Sequence, residues 1–77
     1  MTDSNGENIK IGDWVWVEDY LGNRAVHIVY VTRTSKYVTF FDHTLQKNLQ
    51  RESSRLTKLP TNKKKREEFI FLKTLES

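Results

Sequence analysis

Two histidines, His27 and His43, are the side chains in these 77 residues best suited to move a proton near neutral pH. Neither has the company that catalysis needs. His27 lies inside the apolar run Val26-His27-Ile28, where it is expected to point outward from a strand. His43 directly follows Asp42, and sequence neighbours rarely give a base and its orienting carboxylate workable geometry. Ser53 and Ser54 read as caps of a short turn, not as nucleophiles. There is no cysteine, which removes thiol catalysis, disulfides and Cys-based zinc sites. No glycine-rich phosphate loop and no metal-ligand spacing is present. The expectation is a chain that is not an enzyme and uses no cofactor or metal.

Binding chemistry has more material. Trp14 or Trp16, Tyr30 and Tyr37 offer rings on which bases can stack. Arg24, Arg33, Lys36, Lys47, Arg51, Arg55 and Lys58 are candidate phosphate contacts. Lys63, Lys64, Lys65 and Arg66 would add an electrostatic arm, which is also compatible with a nuclear localisation signal. Against that, such runs are commonly just solvated, and Glu67 and Glu68 partly cancel the arm's field. The net charge is +3, unevenly spread. Residues 1–23 hold Lys10 against Asp3, Glu7, Asp13, Glu18 and Asp19. From Arg24 to Lys58, seven bases face only Asp42 and Glu52. A basic second half recruits phosphate or acidic protein surfaces. The acidic first strand and loop would repel phosphate if they shared that side.

These residues must be positioned by short strands. Residues 1–8 are polar and turn-rich and are expected to be a disordered tail. An ordered unit is expected over 9–60. Gly12-Asp13 turns into Trp14-Val15-Trp16-Val17, and a loop at 20–23 leads to a long β-branched strand from Arg24 to Thr32. Lys36 to Phe41 gives a third strand and Leu45 to Gln50 a weakly alternating fourth. Ser53-Ser54-Arg55 forms one tight helical turn before Leu56 to Leu59, which Pro60 ends. Residues 61–77 read as a basic linker and a short helix, with Phe69, Leu72 and Leu75 at helical spacing. Phe69 to Leu72 would also serve as a strand, and lysines in a first turn oppose the helix dipole. The fold class expected is mostly β, a small five-stranded barrel closing its own edges, with a C-terminal helix on one end. Strand alternation puts Val15 and Val17 on one face, Trp14 and Trp16 on the other. Two indoles would overfill a small interior, so at least one points outward. Phe69, Ile70 and Leu72 of the tail are candidate covers, and a ligand is the alternative.

The string Gly12-Asp13-Trp14-Val15-Trp16-Val17 resembles the opening strand of SH3-like barrels of the Tudor, KOW and retroelement-integrase C-terminal families. Tyr37 to Asp42 resembles the third Tudor strand, and Ser53 to Leu59 resembles the closing segment of integrase C-terminal barrels. The stretch from Asp42 to Leu56 is longer than the Tudor pattern, and His43 stands where that family usually has an aromatic. The Tudor likeness implies a methyl-lysine reader as a third possibility, with Trp16, Tyr20, Tyr37 and Phe41 as cage members. The leading expectation is a non-catalytic accessory module that binds nucleic acid, DNA or RNA, through a basic barrel face with aromatic support. The alternative is a protein-interaction module that docks on and regulates a larger enzyme or assembly, as small viral and mobile-element barrels do. Either would be a monomer or a homodimer, placed in the cytoplasm, or in the nucleus or nucleoid if it binds nucleic acid. No apolar run approaches the ~20 residues that span a bilayer, so no membrane partner is expected.

Overall fold

The computed structural model describes residues 1–32 and 36–76, so Arg33, a candidate phosphate contact, lies outside the described residues. Five strands run in order: β1 (Trp14–Asp19), β2 (Gly22–Val31), β3 (Tyr37–Asp42), β4 (Lys47–Glu52) and β5 (Leu56–Lys58). A 3₁₀ turn, Ser53–Arg55, joins β4 to β5, and helix α1 (Lys63–Glu76) follows. The strands form one antiparallel sheet in the order β4-β3-β2-β1-β5. Each element lies close to where composition and turn chemistry place it. The exception is β4, which starts two residues later than Leu45. Asp42 Oδ1 accepts the N–H groups of Thr44 (2.9 Å) and Leu45 (3.1 Å), and Gln46 takes a positive φ of 56°. That side-chain-held turn keeps Leu45 out of the ladder.

Alternation builds the core. Val15 and Val17 of β1, Val26 and Ile28 of β2, Val38 and Phe40 of β3, and Leu56 of β5 pack together on the inner face, with Ile9 against them. Each such side chain contributes about 1.5–3 kcal/mol on burial. The tryptophans take the other face, as their spacing requires. Trp16 is 4 % exposed beneath α1, its ring 6.4 Å from that of Phe69 in an edge-on arrangement. Trp14 is half-buried, between the His27 ring (5.1 Å) and the Arg66 guanidinium (5.4 Å). The helix is therefore the cover for the indoles. Leu72, a candidate for that role, is 59 % exposed instead. Asn62 opens the helix, its Oδ1 accepting the N–H of Lys65 at 3.1 Å.

The sheet does not close into a barrel. Among the described residues no ladder joins β4 to β5, and the two remain its ends. Side chains clasp it instead. Arg51 of β4 reaches across the interior to Asp19 of β1 (Nε–Oδ2 2.9 Å), and Asp19 also takes Arg24 Nη1 at 3.1 Å. Arg24 Nη2 in turn lies 2.9 Å from Asp42 Oδ2. A 2.9 Å contact between strands three places apart in the sheet order requires a strongly curled sheet. Closure by backbone is unnecessary where ions do the joining.

Both edges are also protected. Along β5, Ser4 N–H donates to Leu56 O (2.8 Å) and Lys58 N–H donates to Asp3 Oδ2 (2.7 Å). Along β4, Arg51 Nη1 donates to Gln50 O at 2.7 Å, occupying an acceptor that a foreign strand would need. The segment expected to be a disordered tail, 1–8, is thus a turn docked on β5. Its organiser is Asp3, 4 % exposed, whose Oδ1 accepts the N–H groups of Asn5 (2.9 Å) and Glu7 (2.8 Å). A polar composition hid this, because most of the bonds that hold the turn are made by the Asp3 carboxylate and by backbone groups, with Met1 alone of residues 1–8 packed against the core.

Candidate functional site

The basic residues divide into two populations. Arg24 and Arg51 face the interior, opposite Val17 and Val38 in their ladders, and are consumed by Asp19 and Asp42. The Arg24 guanidinium lies 6.0 Å from the Phe40 ring, and that of Arg51 lies 5.9 Å from the Tyr20 ring. Burial pushes the Asp19 carboxyl up, but the Leu21 N–H and the two guanidiniums outweigh it and hold it below the usual carboxylate range. Lys58 is tied to Asn8 O (3.1 Å) and to Asp13 (3.5 Å). Arg66 lies on Trp14. Lys36, Lys47, Arg55, Lys63, Lys64 and Lys65 are exposed and have no ion-pair partner among the described residues.

The aromatic residues divide as well. Trp14 and Trp16 are covered, and Tyr20 stands 88 % exposed at the β1–β2 turn. No ring contact joins any two of Trp16, Tyr20, Tyr37 and Phe41 among the described residues. A different group does share a surface. On β3, Tyr37, Thr39 and Phe41 point away from the core, opposite Glu52, Gln50 and Asn48 of β4. Tyr30 of β2 pairs directly with Thr39, which puts Tyr37 and Phe41 at its diagonal positions.

A β-bulge sets this up. Ile28 pairs with Phe40 but Tyr30 pairs with Thr39, so Val29 is the extra residue. Without it, the register would place Tyr30 opposite Val38, inside the core. The bulge reverses the parity of the strand, sending Tyr30 outward and Val31 inward against the core. Tyr30 is consequently 45 % exposed and Tyr37 36 % exposed, with Phe41 half-buried beside the His43 ring at 5.1 Å. Thr39, although on the outer face, is only 1 % exposed. Its cross-strand partners on that face are Tyr30 and Gln50, with Tyr37 and Phe41 two residues to either side on its own strand. Gln50 Nε2 approaches Thr39 Oγ1 at 3.5 Å.

Tyr30 and Tyr37 were legible as stacking rings and Phe41 as a companion of Tyr37, whereas His43, Asn48 and Gln50 were not legible as their neighbours. Strand alternation in 37–41 against 48–52 was the available signal, and the bulge was the missing one. Among the described residues no cluster of three metal-ligating side chains occurs, and no helix is long and apolar enough to cross a membrane. No family model and no curated protein matches the sequence.

Proposed function

We propose that this chain is a non-catalytic nucleic-acid-binding module, acting as an accessory protein. The observation that carries the reading is the charge left after internal pairing. Six exposed lysines and arginines from Lys36 to Lys65 have no carboxylate partner, whereas among the described acids from Arg24 onward only Glu52, Glu67 and Glu68 are unpaired. Such a surface binds phosphate by releasing counterions. The strand order, with a single 3₁₀ turn before a β5 that returns to β1, supports placing the domain among open SH3-like folds. The test is a titration of labelled single- and double-stranded DNA and RNA at low and physiological salt. Affinity should fall by about 10-fold or more across that range. No binding at low salt would overturn the reading.

A second reading, docking on a larger protein, is supported by α1. Phe71, Leu72 and Leu75 of α1 are 63 %, 59 % and 67 % exposed. An aspartate at Leu72 that abolishes partner binding while leaving nucleic-acid affinity unchanged would favour this second reading.

A further inference from the structure

We infer that the outer face of β2, β3 and β4 binds a single strand of nucleic acid by stacking two or three unpaired bases on Tyr30, Tyr37 and Phe41. This rests on the nucleic-acid reading and gives it a surface and a substrate class. Four observations converge on it. The three rings occupy two adjacent strands at direct and diagonal positions around the buried Thr39, so they share one side of the sheet. The strip from Tyr37 to Phe41 covers four residue steps of β3, about 13 Å at strand rise. That length accommodates two or three splayed bases. The amides of Gln50 and Asn48 stand on the same face beside the rings, where they can donate to and accept from base edges.

Charge matches as well. Lys36 precedes Tyr37 at one end of the strip, and Lys47 lies next to Asn48 at the other. Both are exposed and without an ion-pair partner among the described residues; Lys47 stands opposite the inward Asp42 in the ladder, so its charge sits at the strand end and not on the ring-bearing face. Glu52, opposite Tyr37, is the one carboxylate on the face among the described residues and opposes phosphate there. A duplex does not fit the same surface, because its base faces are already stacked on one another. The arginines that the sequence suggests for phosphate, Arg24 and Arg51, are held inside and take no part.

The deciding experiment is fluorescence anisotropy of the full chain with labelled oligo-dT, oligo-U and a blunt duplex, comparing wild type with Tyr30→Ala, Tyr37→Ala and Tyr30→Phe. The exposure of Tyr30 and Tyr37 keeps these variants foldable, and the dispersion of a one-dimensional proton spectrum verifies it. Each alanine should weaken single-strand binding by about 10-fold, the loss expected when a base loses its stacking ring. Tyr30→Phe, which keeps the ring, should bind like wild type, and Glu52→Gln should bind more tightly. The oligo-dT and oligo-U arms separate DNA from RNA as the source of the strand. Single-strand binding unchanged by both alanines would overturn the stacking site while leaving the nucleic-acid reading intact. Duplex bound as tightly as single strand would do the same. No binding to any of the three probes would overturn both.

Discussion

Replacing Asp3 with asparagine isolates what the N-terminal turn contributes. The substituted amide would keep an oxygen for the N–H groups of Asn5 and Glu7 but would set its own NH₂ against the Lys58 N–H, now 2.7 Å from Asp3 Oδ2. A charge-assisted bond worth about 1.5–3 kcal/mol is lost and a buried donor is left unsatisfied, so the expected cost is about 2–3 kcal/mol. A domain of this size is stable by only about 4–11 kcal/mol, so the fraction is large. At about 4–8 °C per kcal/mol, the melting temperature should fall by about 10–20 °C. Urea unfolding followed by the fluorescence of buried Trp16 gives the same quantity independently. The effect should also depend on pH. Burial raises the Asp3 carboxyl pKa, but the backbone donors of Lys58, Glu7 and Asn5 and the Lys58 charge together lower it below the ordinary value. A depressed native pKa means that Asp3 stabilises fully above the unfolded carboxylate pKa of about 4, and that this is lost as pH falls through the native value. The gap between wild type and Asp3→Asn should therefore close as the solution is acidified. An unchanged urea midpoint at neutral pH, or no loss on deleting residues 1–8, would refute the docked turn.

Arg24→Met should destabilise by about 3–5 kcal/mol, because it leaves the 2 %-exposed Asp42 without its guanidinium; chemical denaturation measures this, and Asp42→Asn in the same chain should recover part of it. Arg51→Met should speed amide exchange at Leu49 and along the rest of β4 more than in β1, since it releases the clasp from Asp19. Phe69→Ala should cost about 1–2 kcal/mol, below the full core value because Phe69 is half-buried, and should red-shift tryptophan emission by wetting Trp16. Phe71→Ser, on the open side of α1, should change stability by no more than about 0.5 kcal/mol.

The strands were legible because each carries its own local signal. Trp14 to Val17 and Arg24 to Thr32 are β by composition, and Pro60 punctuates the end of the sheet. The tryptophan argument also worked from parity alone, since two valines fill the interior and the indoles must find cover elsewhere. Long-range choices were not legible. Asp3 reads as one more acid in a polar tail until a partner 55 residues away, the Lys58 N–H, is known. Arg24 and Arg51 read as phosphate contacts until the curl of the sheet brings Asp19 and Asp42 to them. Closure into a barrel followed from the need to protect edges. The chain meets that need with a docked turn and an arginine cap, which no local pattern announces.

The bulge at Val29 shows why counting aromatic residues is a poor guide to a binding face. Along an unbroken β2, His27, Val29 and Val31 would share the outer side, and Tyr30 would enter the core. One inserted residue exchanges Val31 for Tyr30, so a valine completes the interior and the tyrosine joins Tyr37 and Phe41 outside. The same parity sends Arg24 and Arg51 inward, where their charge serves the clasp and is removed from the surface. What remains outside on β2 to β4 is rings and amides, flanked by exposed lysines. That composition suits the faces and edges of unpaired bases better than the phosphate rail of a duplex. The proposed stacking on this face therefore depends on register more than on net charge, and a change at Val29 that restored regular pairing would remove the Tyr30 ring without touching a single basic residue.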